Sequence, residues 1–213
     1  MKVDLHIHTS KLSPDSRMDP EEAIQTAMNM GLDGICFTEH DRAWELPDIL
    51  GLSLKYHFPV FRGVEVMVRE GGEILVFGLN MNFTTVIDVQ KLRNLVTKAG
   101  GFMIAAHPFR GFPCSTITDF DTAAEIVLKR PVFDKIDALE GFNGRNMEGN
   151  NMLACQLANK LGLSTTGGSD AHFPDELGKC VTIFQKDIWD EAELIAELKA
   201  GRFIGSPYNN HTQ

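Results

Sequence analysis

The sequence has few cysteines, no long apolar run and fewer basic than acidic side chains. No uninterrupted hydrophobic stretch approaches the ~18 residues of a membrane-spanning helix, and the start, Met1 to His6, lacks the apolar segment of a signal peptide. Because 20 basic residues face 29 acidic ones, the net charge is −9, which disfavours binding to duplex nucleic acid. These absences predict a cytoplasmic protein that binds neither membranes nor duplex DNA.

The cysteines are too scattered for a disulfide framework or a thiolate metal site. The four residues are Cys36, Cys114, Cys155 and Cys180, and no two of them form a CxxC pair. We therefore expect separate, buried thiols.

The length of 213 residues predicts a single domain over residues 1–213, and the pattern along it indicates an α/β fold. Seven short apolar or β-branched runs alternate with segments of helical spacing. The runs cover residues 3–7, 34–38, 60–66, 102–105, 138–142, 164–167 and 181–184. No GxGxxG motif is present, so a closed, mostly parallel seven-stranded β/α barrel is favoured over an open nucleotide-binding sheet.

Local signals set the helix boundaries and predict one hairpin. Asp19 and Pro20 begin a helix that ends before Gly31, another runs from about residue 146 to 161, and Asp190 begins the last. The turn residues 69–72 separate two short apolar runs, which predicts a β-hairpin over residues 64–78 at the rim of the sheet.

Histidines and carboxylates recur at the carboxyl ends of the predicted strands. His6 and His8 share one face of an extended strand, whereas Leu5 and Ile7 face the opposite, packed layer. Further candidates lie at later strand ends: His40, Glu65, His107, Glu140, Asp170 and His172. Because strand ends of a β/α barrel converge on one mouth, we expect these side chains to form one site.

Imidazole and carboxylate ligands without thiolates suit Zn²⁺, Mn²⁺ or Fe²⁺. The candidates exceed the needs of one ion, so the sequence predicts at least two divalent transition metals. Two metals would hold a hydroxide for attack on a phosphoryl or acyl centre.

The motifs resemble the PHP (polymerase and histidinol phosphatase) family of metal-dependent phosphoesterases. They are DLHIHT at 4–9, the Ser13-Pro14-Asp15 segment, TEH at 38–40, GVE at 63–65, AHP at 106–108 and GSDAH at 168–172, in the family's order over nearly the whole chain. The resemblance implies a distorted seven-stranded β/α barrel of the PHP type, with a site for two or three metals.

The resemblance also implies a ligand set. One metal would lie near His6, His8, Glu65 and Asp170, a second near Asp15, His40 and His172, and a third would use Glu65 and His107. Two positions depart from the family: Glu39 stands where Asp is common, and Glu73 stands where a histidine usually follows the Glu65 strand. We expect Glu39 to support a ligand and Glu73 to replace the imidazole.

Other residues complete the predicted site. Arg17, Arg110 and Arg145 follow site segments and are candidates for binding phosphate, since arginine matches phosphate by bidentate hydrogen bonds. Asp170 or His172 would protonate the leaving group, with Arg110 stabilising charge on the phosphoryl oxygens. Glu140 is expected to support a ligand, whereas no site role is expected for His57 or His211.

Three functions are compatible with these residues. The leading hypothesis is hydrolysis of a small phosphomonoester or nucleotide phosphate by a metal-bridged hydroxide, so the expected partner is a small phosphorylated substrate. An amidohydrolase-type C–N or lactone hydrolase also opens with HxH on a barrel strand, but commonly has a lysine ligand that no middle strand offers here. A non-catalytic metal-binding PHP module is the third alternative.

Overall fold

The computed structural model describes residues 1–112 and 119–208, so Cys114 and His211 lie outside the described residues. These residues form one sheet of nine strands. The strands are β1 (Lys2–Ile7), β2 (Gly34–His40), β3 (Val60–Met67), β4 (Glu73–Phe77), β5 (Phe102–Ala106), β6 (Ala138–Asn143), β7 (Ser164–Gly168), β8 (Cys180–Phe184) and β9 (Phe203–Pro207).

Six α-helices occur in the same described ranges, together with 3-10 helices at Pro131–Asp134 and Pro174–Glu176. The α-helices are α1 (Pro20–Asn29), α2 (Leu46–Tyr56), α3 (Val89–Ala99), α4 (Phe120–Val127), α5 (Glu148–Leu161) and α6 (Glu191–Lys199). Among the described residues, no helix is long and apolar enough to span a bilayer.

The sheet has nine strands rather than the predicted seven, in the order β7-β6-β5-β4-β3-β2-β1-β8-β9. All seven predicted strands are present. The predicted hairpin is real, but its return strand β4 lies inside the sheet between β3 and β5 rather than at its rim. Strand β9 went unrecognised because Gly205 and Pro207 interrupt its short apolar run.

The prediction of a mostly parallel sheet was wrong, because only half of the strand pairings are parallel. The pairs β1–β2, β2–β3, β5–β6 and β6–β7 are parallel, whereas β3–β4, β4–β5, β1–β8 and β8–β9 are antiparallel. Between β7 and β8 only one 3-10 turn intervenes, and a parallel crossover requires a longer connection, usually helical. Strands β4 and β8 therefore run opposite to the other seven.

The sheet curls into a nearly closed barrel because the chain after β7 returns to β1. Asp170 N–H donates to the His6 carbonyl at 2.7 Å, and His8 N–H donates to the Ala171 carbonyl at 2.9 Å. Farther down, the Thr182 hydroxyl both donates to the Gly167 carbonyl and accepts from its N–H, each at 2.9 Å. A side chain thus replaces part of a backbone ladder where β7 meets β8.

The predicted starts of the first and last helices are confirmed by their caps, whereas α5 begins at Glu148 without a side-chain cap. Asp19 accepts from Glu21 N–H at 2.8 Å at the start of α1, and Asp190 accepts from Glu193 N–H at 2.8 Å at the start of α6. Such caps satisfy backbone donors that the first helical turn leaves unpaired. The helices bury apolar faces against the sheet, and the carboxyl ends of β1, β2, β3, β5, β6 and β7 lie together at one mouth.

Candidate metal centre

All nine predicted metal-binding residues come together at the mouth of the barrel. They are His6 and His8 on and after β1, Asp15 in the following loop, His40 ending β2, Glu65 in β3, Glu73 beginning β4, His107 after β5, and Asp170 and His172 after β7. Because β4 is antiparallel, its first residue lies at the same edge as the last residues of its neighbours. The alternation of β1 places Leu5 and Ile7 in apolar clusters, as expected.

An inner group forms around the two histidines of β1. His6 Nε2 and His8 Nε2 are 3.0 Å apart. His8 Nε2 lies 3.2 Å from Asp170 Oδ1 and 3.4 Å from Glu65 Oε2, and His6 Nε2 lies 3.3 Å from Glu65 Oε1. All four side chains are buried, so four ligand atoms converge in a space closed to bulk water.

A second group lies nearer the solvent. Asp15 Oδ2 is 3.2 Å from both His40 Nε2 and His172 Nε2. The opposite nitrogen of His40, Nδ1, lies 3.0 Å from Glu65 Oε2, so this ring connects the second group to the inner one. Asp15 is 55% exposed, which leaves this side of the cluster accessible from the mouth.

A third group includes the unusual glutamate. His107 Nε2 lies 2.9 Å from Glu65 Oε1 and 3.4 Å from Glu73 Oε2. Glu65 therefore contacts imidazoles in all three groups and is the central carboxylate of the cluster. Glu73 contributes a carboxylate oxygen to this third group.

Two of these side chains sit on strained backbone. His107 has a φ of 26° and Asp170 a φ of 56°, a region that non-glycine residues seldom adopt. Such conformations persist only where the surrounding structure holds them, and they concentrate at functional sites. His107 directly follows β5 and Asp170 lies two residues after β7, and at both positions the chain turns at the mouth.

Glu140 contacts two predicted ligands from behind, whereas Glu39 contacts none of them directly. Glu140 Oε1 lies 2.8 Å from His6 Nδ1, and its Oε2 accepts from His107 N–H at 2.8 Å. Since both of its oxygens are occupied, Glu140 orients a ring rather than offering an oxygen to the cluster. Glu39 accepts from Ser13 Oγ at 2.6 Å, away from the cluster.

Charge within the cluster shifts the pKa of its imidazoles. Burial opposes protonation of His6, but the carboxylates of Asp170, Glu140 and Glu65 outweigh it and hold the pKa of His6 well above its usual range. Burial alone dominates at His8, where it lowers the pKa to about 4. At His40 burial is again outweighed, chiefly by Glu65, and the pKa rises to about 9.

The pKa values of the carboxylates shift in two directions. Burial raises the pKa of Glu65 and Asp170, but the neighbouring His6 overcomes it, so the pKa of each falls below its usual range. At Glu73 burial and the charge of Glu65 act together and raise the pKa. The central carboxylates are therefore ionised, as metal ligation requires.

Two of the three predicted arginines contact the cluster. Arg110 Nη2 donates to Asp170 Oδ2 and, at 2.9 Å, to Asn143 Oδ1. Arg145 Nη1 lies 2.9 Å from His172 Nδ1. Arg17 is exposed and touches the site only through its backbone N–H, which donates to the His172 carbonyl at 2.9 Å.

Sequence reasoning missed Asn143. Its amide donates to Glu140 Oε2 at 2.9 Å and to Asp170 Oδ2 at 3.3 Å, while its oxygen accepts from Arg110. Asn143 ends β6 at the mouth, so the expectation that strand ends carry site residues applies to it as well. His57, for which no site role is expected, ends α2 in a left-handed conformation.

The donor set fits divalent transition metals. Four sets of three ligand atoms lie within 4.8 Å of one another: His8, His40 and His172; His6, His8 and Asp170; His6, His107 and Glu140; and His40, Glu65 and Glu73. Nitrogen and carboxylate oxygen suit Zn²⁺, Mn²⁺ or Fe²⁺. Within residues 1–112 and 119–208, no cysteine joins these sets.

Comparisons with known proteins agree with this architecture. Residues 148–203 match the family model described as PHP-associated. No curated protein matches the chain. A two-domain protein from Bacteroides vulgatus, containing a predicted PHP-like metal-dependent phosphoesterase, superimposes with a TM-score of 0.69 and 19% identity over 98% of this chain and 65% of that one.

Two further structures are similar over most of both chains. PsfC from Pseudomonas syringae has a TM-score of 0.66 and 20% identity, covering 98% of this chain and 91% of that one. An amidohydrolase from Chromobacterium violaceum, with bound sulfate and no metal, has a TM-score of 0.66 and 16% identity, covering 96% and 98%. The resemblance to the PHP family is thus confirmed, by the PHP-associated match over residues 148–203 and by the shared fold.

Proposed function

We propose that the protein is a metal-dependent hydrolase of small phosphomonoesters. The observation that carries the proposal is the convergence of nine nitrogen and oxygen ligands with two arginines at one partly open mouth. Of the four carboxylates in the cluster, Glu65 and Asp170 are buried and require positive charge to balance them. Cations bound there would also attract a phosphate.

We assign the ligands by the three groups of the cluster. His6, His8, Glu65 and Asp170 would hold one ion, Asp15, His40 and His172 a second, and His107, Glu65 and Glu73 a third. Zn²⁺, Mn²⁺ or Fe²⁺ held there would supply Lewis acidity and lower the pKa of water.

The arginines of this chain would bind and orient the phosphate. The Arg110 side chain is 38% exposed, so it can turn from Asp170 toward a ligand in the mouth while Asn143 still anchors it. Arg145 lies beside His172. Guanidinium groups there match phosphate oxygens and would stabilise charge on them during hydrolysis.

One of the two candidates for the proton donor is excluded by its charge state. Because His6 and Arg110 hold the pKa of Asp170 below its usual range despite its burial, Asp170 carries no proton to give. His172 Nε2 points toward Asp15 at the solvent side of the cluster, where a leaving alcohol would depart. Asp170 is therefore excluded as the donor, and His172 can protonate the alcohol only while its Nε2 is not bound to the second ion.

A cavity beside His40 supports a small substrate. Its volume is about 850 Å³, and its walls include Lys11, Arg42, Asn82 and Phe83. This space suits a small organic group attached to the phosphate. His40 lines this cavity and also contacts Glu65, so a group bound there would lie next to the cluster.

The test is a substrate panel combined with two arginine variants. Purified, metal-loaded protein should release phosphate from small phosphomonoesters and leave amides and lactones intact. Arg110→Gln should raise KM for phosphomonoesters at least about 10-fold, as expected for loss of a charged hydrogen bond, whereas Arg130→Gln, outside the mouth, should not. Hydrolysis of amides or lactones alone would support the amidohydrolase-type alternative, and no hydrolysis of any substrate would support a metal-binding module.

A further inference from the structure

The hydroxyl of Ser13 lies behind the metal cluster and contacts three groups at once. It is fully buried. Its oxygen lies 2.6 Å from Glu39 Oε2, 3.3 Å from His8 Nδ1 and 3.2 Å from the backbone nitrogen of His40. The Ser13 hydroxyl therefore joins the loop after β1 to two predicted ligands, His8 and His40.

The hydrogen-bond capacities of these groups leave one arrangement. A serine hydroxyl has one proton to donate and two lone pairs, and an ionised carboxylate can only accept. The hydroxyl proton therefore goes to Glu39, and one lone pair accepts the His40 N–H. The remaining lone pair faces His8 Nδ1, which must carry the proton for this contact to be a hydrogen bond.

Protonation at Nδ1 leaves the other nitrogen of the ring free. His8 Nε2 faces Asp170 Oδ1 and Glu65 Oε2 in the inner group. A neutral imidazole binds a metal through its unprotonated nitrogen, and the hydrogen bond of the other nitrogen decides which one that is. The contact with Ser13 thus selects the tautomer that the inner group requires.

The carboxylate that fixes the Ser13 hydroxyl is itself held rigidly. Glu39 accepts from the Thr9 N–H at 2.9 Å, from the Thr9 hydroxyl, and from Trp44 Nε1 at 2.7 Å. Ser13 N–H also donates to the Thr9 carbonyl at 3.0 Å, which closes the turn that brings Ser13 behind His8. Each Glu39 oxygen therefore accepts one N–H and one hydroxyl, and these four contacts hold the carboxylate as the acceptor for Ser13.

We propose that Ser13 is a positioning residue that, held by Glu39, fixes the tautomer of His8 for metal binding. The inference rests on the proposed metal site but concerns a residue that touches neither metal nor substrate. It assigns a role to Glu39 as well: the carboxylate acts on His8 through the serine, not by direct contact.

Ser13→Ala and Thr9→Val form a matched pair of variants. Each removes one hydroxyl donor from Glu39, but only Ser13→Ala breaks the contacts with His8 and the His40 N–H. Loss of such an outer partner weakens metal binding by about 10–100-fold. We expect that loss for Zn²⁺ in Ser13→Ala and near-wild-type affinity in Thr9→Val, measured by competition with a chelating dye.

Nitrogen NMR of protein labelled in histidine gives a readout independent of activity. In metal-free protein, His8 should show a protonated Nδ1 in wild type and Thr9→Val, and a mixture of tautomers in Ser13→Ala. Ser13→Cys preserves volume with a weak acceptor, so it tests the same contact if the alanine variant does not fold.

Three results separate the possible failures. Wild-type affinity with an unchanged His8 tautomer in folded Ser13→Ala or Ser13→Cys would overturn the role of Ser13. Equal losses in Ser13→Ala and Thr9→Val would also overturn it, because they would reflect Glu39 packing alone. No Zn²⁺ binding by the wild-type protein would overturn the metal site itself, and the role of Ser13 with it.

Discussion

Glu140 and His6 are 134 residues apart in the sequence, yet their side chains meet at 2.8 Å between Oε1 and Nδ1. This contact turns His6 Nε2 toward Glu65 and Asp170. Both partners are buried, and Glu140 also accepts from the His107 N–H and from the Asn143 amide. The Glu140 carboxylate therefore fixes the two predicted ligands His6 and His107, and it also holds Asn143.

Glu140→Gln should weaken both metal binding and folding. An amide in place of one oxygen sets a donor against the His107 N–H, the Asn143 amide or His6, so at least one hydrogen bond is lost. We expect Zn²⁺ affinity to fall about 10–100-fold and the free energy of unfolding to fall by about 1–3 kcal/mol. Chelator competition and urea denaturation measure these, with Glu125→Gln, on the exposed side of α4, as the control.

If Glu140→Gln bound Zn²⁺ like wild type, His6 would not depend on this carboxylate for its orientation. A loss of stability without a loss of affinity would give Glu140 a purely structural role.

Gly168→Ala should separate the ends of β1 and β7. A Cβ at this position would press on the His6 Cβ and lie 2.8 Å from the His6 nitrogen and 3.1 Å from Glu140 Oε1. Overpacking of this kind typically costs about 1–3 kcal/mol, and moving His6 should also reduce Zn²⁺ uptake. Denaturation and metal analysis on the same preparation test both effects.

Gly51→Ala is the matched control for Gly168→Ala. A Cβ at Gly51, inside α2, would meet no atom within 4 Å. The substitution should raise the free energy of unfolding by about 0.5–1 kcal/mol, since alanine restricts the unfolded chain more than glycine does. If both substitutions changed the free energy of unfolding equally, the close approach at Gly168 would not affect stability.

Metal binding near pH 7 should release protons. In the metal-free protein the pKa of His6 is raised and that of His40 is about 9, so both rings are protonated at pH 7, whereas His8, with a pKa of about 4, is neutral. Metals bind neutral imidazole, so His6 and His40 should together release about two protons. Affinity should therefore rise with pH, and the proton release from His40 should decline above pH 9.

Calorimetric titration with Zn²⁺ in buffers of different ionisation enthalpy measures this release. The apparent enthalpy should differ between buffers at pH 7 in proportion to the protons released. An enthalpy independent of the buffer would show that the two rings are neutral before metal arrives, or that neither is a ligand.

The sequence pattern predicted the site better than the sheet. Alternation in β1 and the recurrence of His, Asp and Glu at strand ends indicated that seven of the nine residues would meet, because strand ends of one direction share an edge, whereas Asp15 and Glu73 came from the family resemblance. The direction of β8 depended on connection length, and β9 was hidden by Gly205 and Pro207. Pairings such as His6 with Glu140 depend on contacts between distant segments, which a local pattern does not encode.

The role of Ser13 shows the same limit. The motif Ser13-Pro14-Asp15 predicted Asp15 as a ligand. The contacts of Ser13 with Glu39 and His8 are visible only in the folded chain. Residue types that bind metals are visible in a sequence, but the partners that orient them are ordinary serines, threonines and glutamates.

Phosphate release by metal-stripped protein, measured while Zn²⁺ or Mn²⁺ is added back stepwise, tests the central claim most directly. We predict no hydrolysis of a phosphomonoester without metal and a maximum only beyond one equivalent per chain, because the ligands form more than one group. His8→Ala should remain folded and stay inactive throughout the titration. Full activity of the metal-free protein would contradict the account.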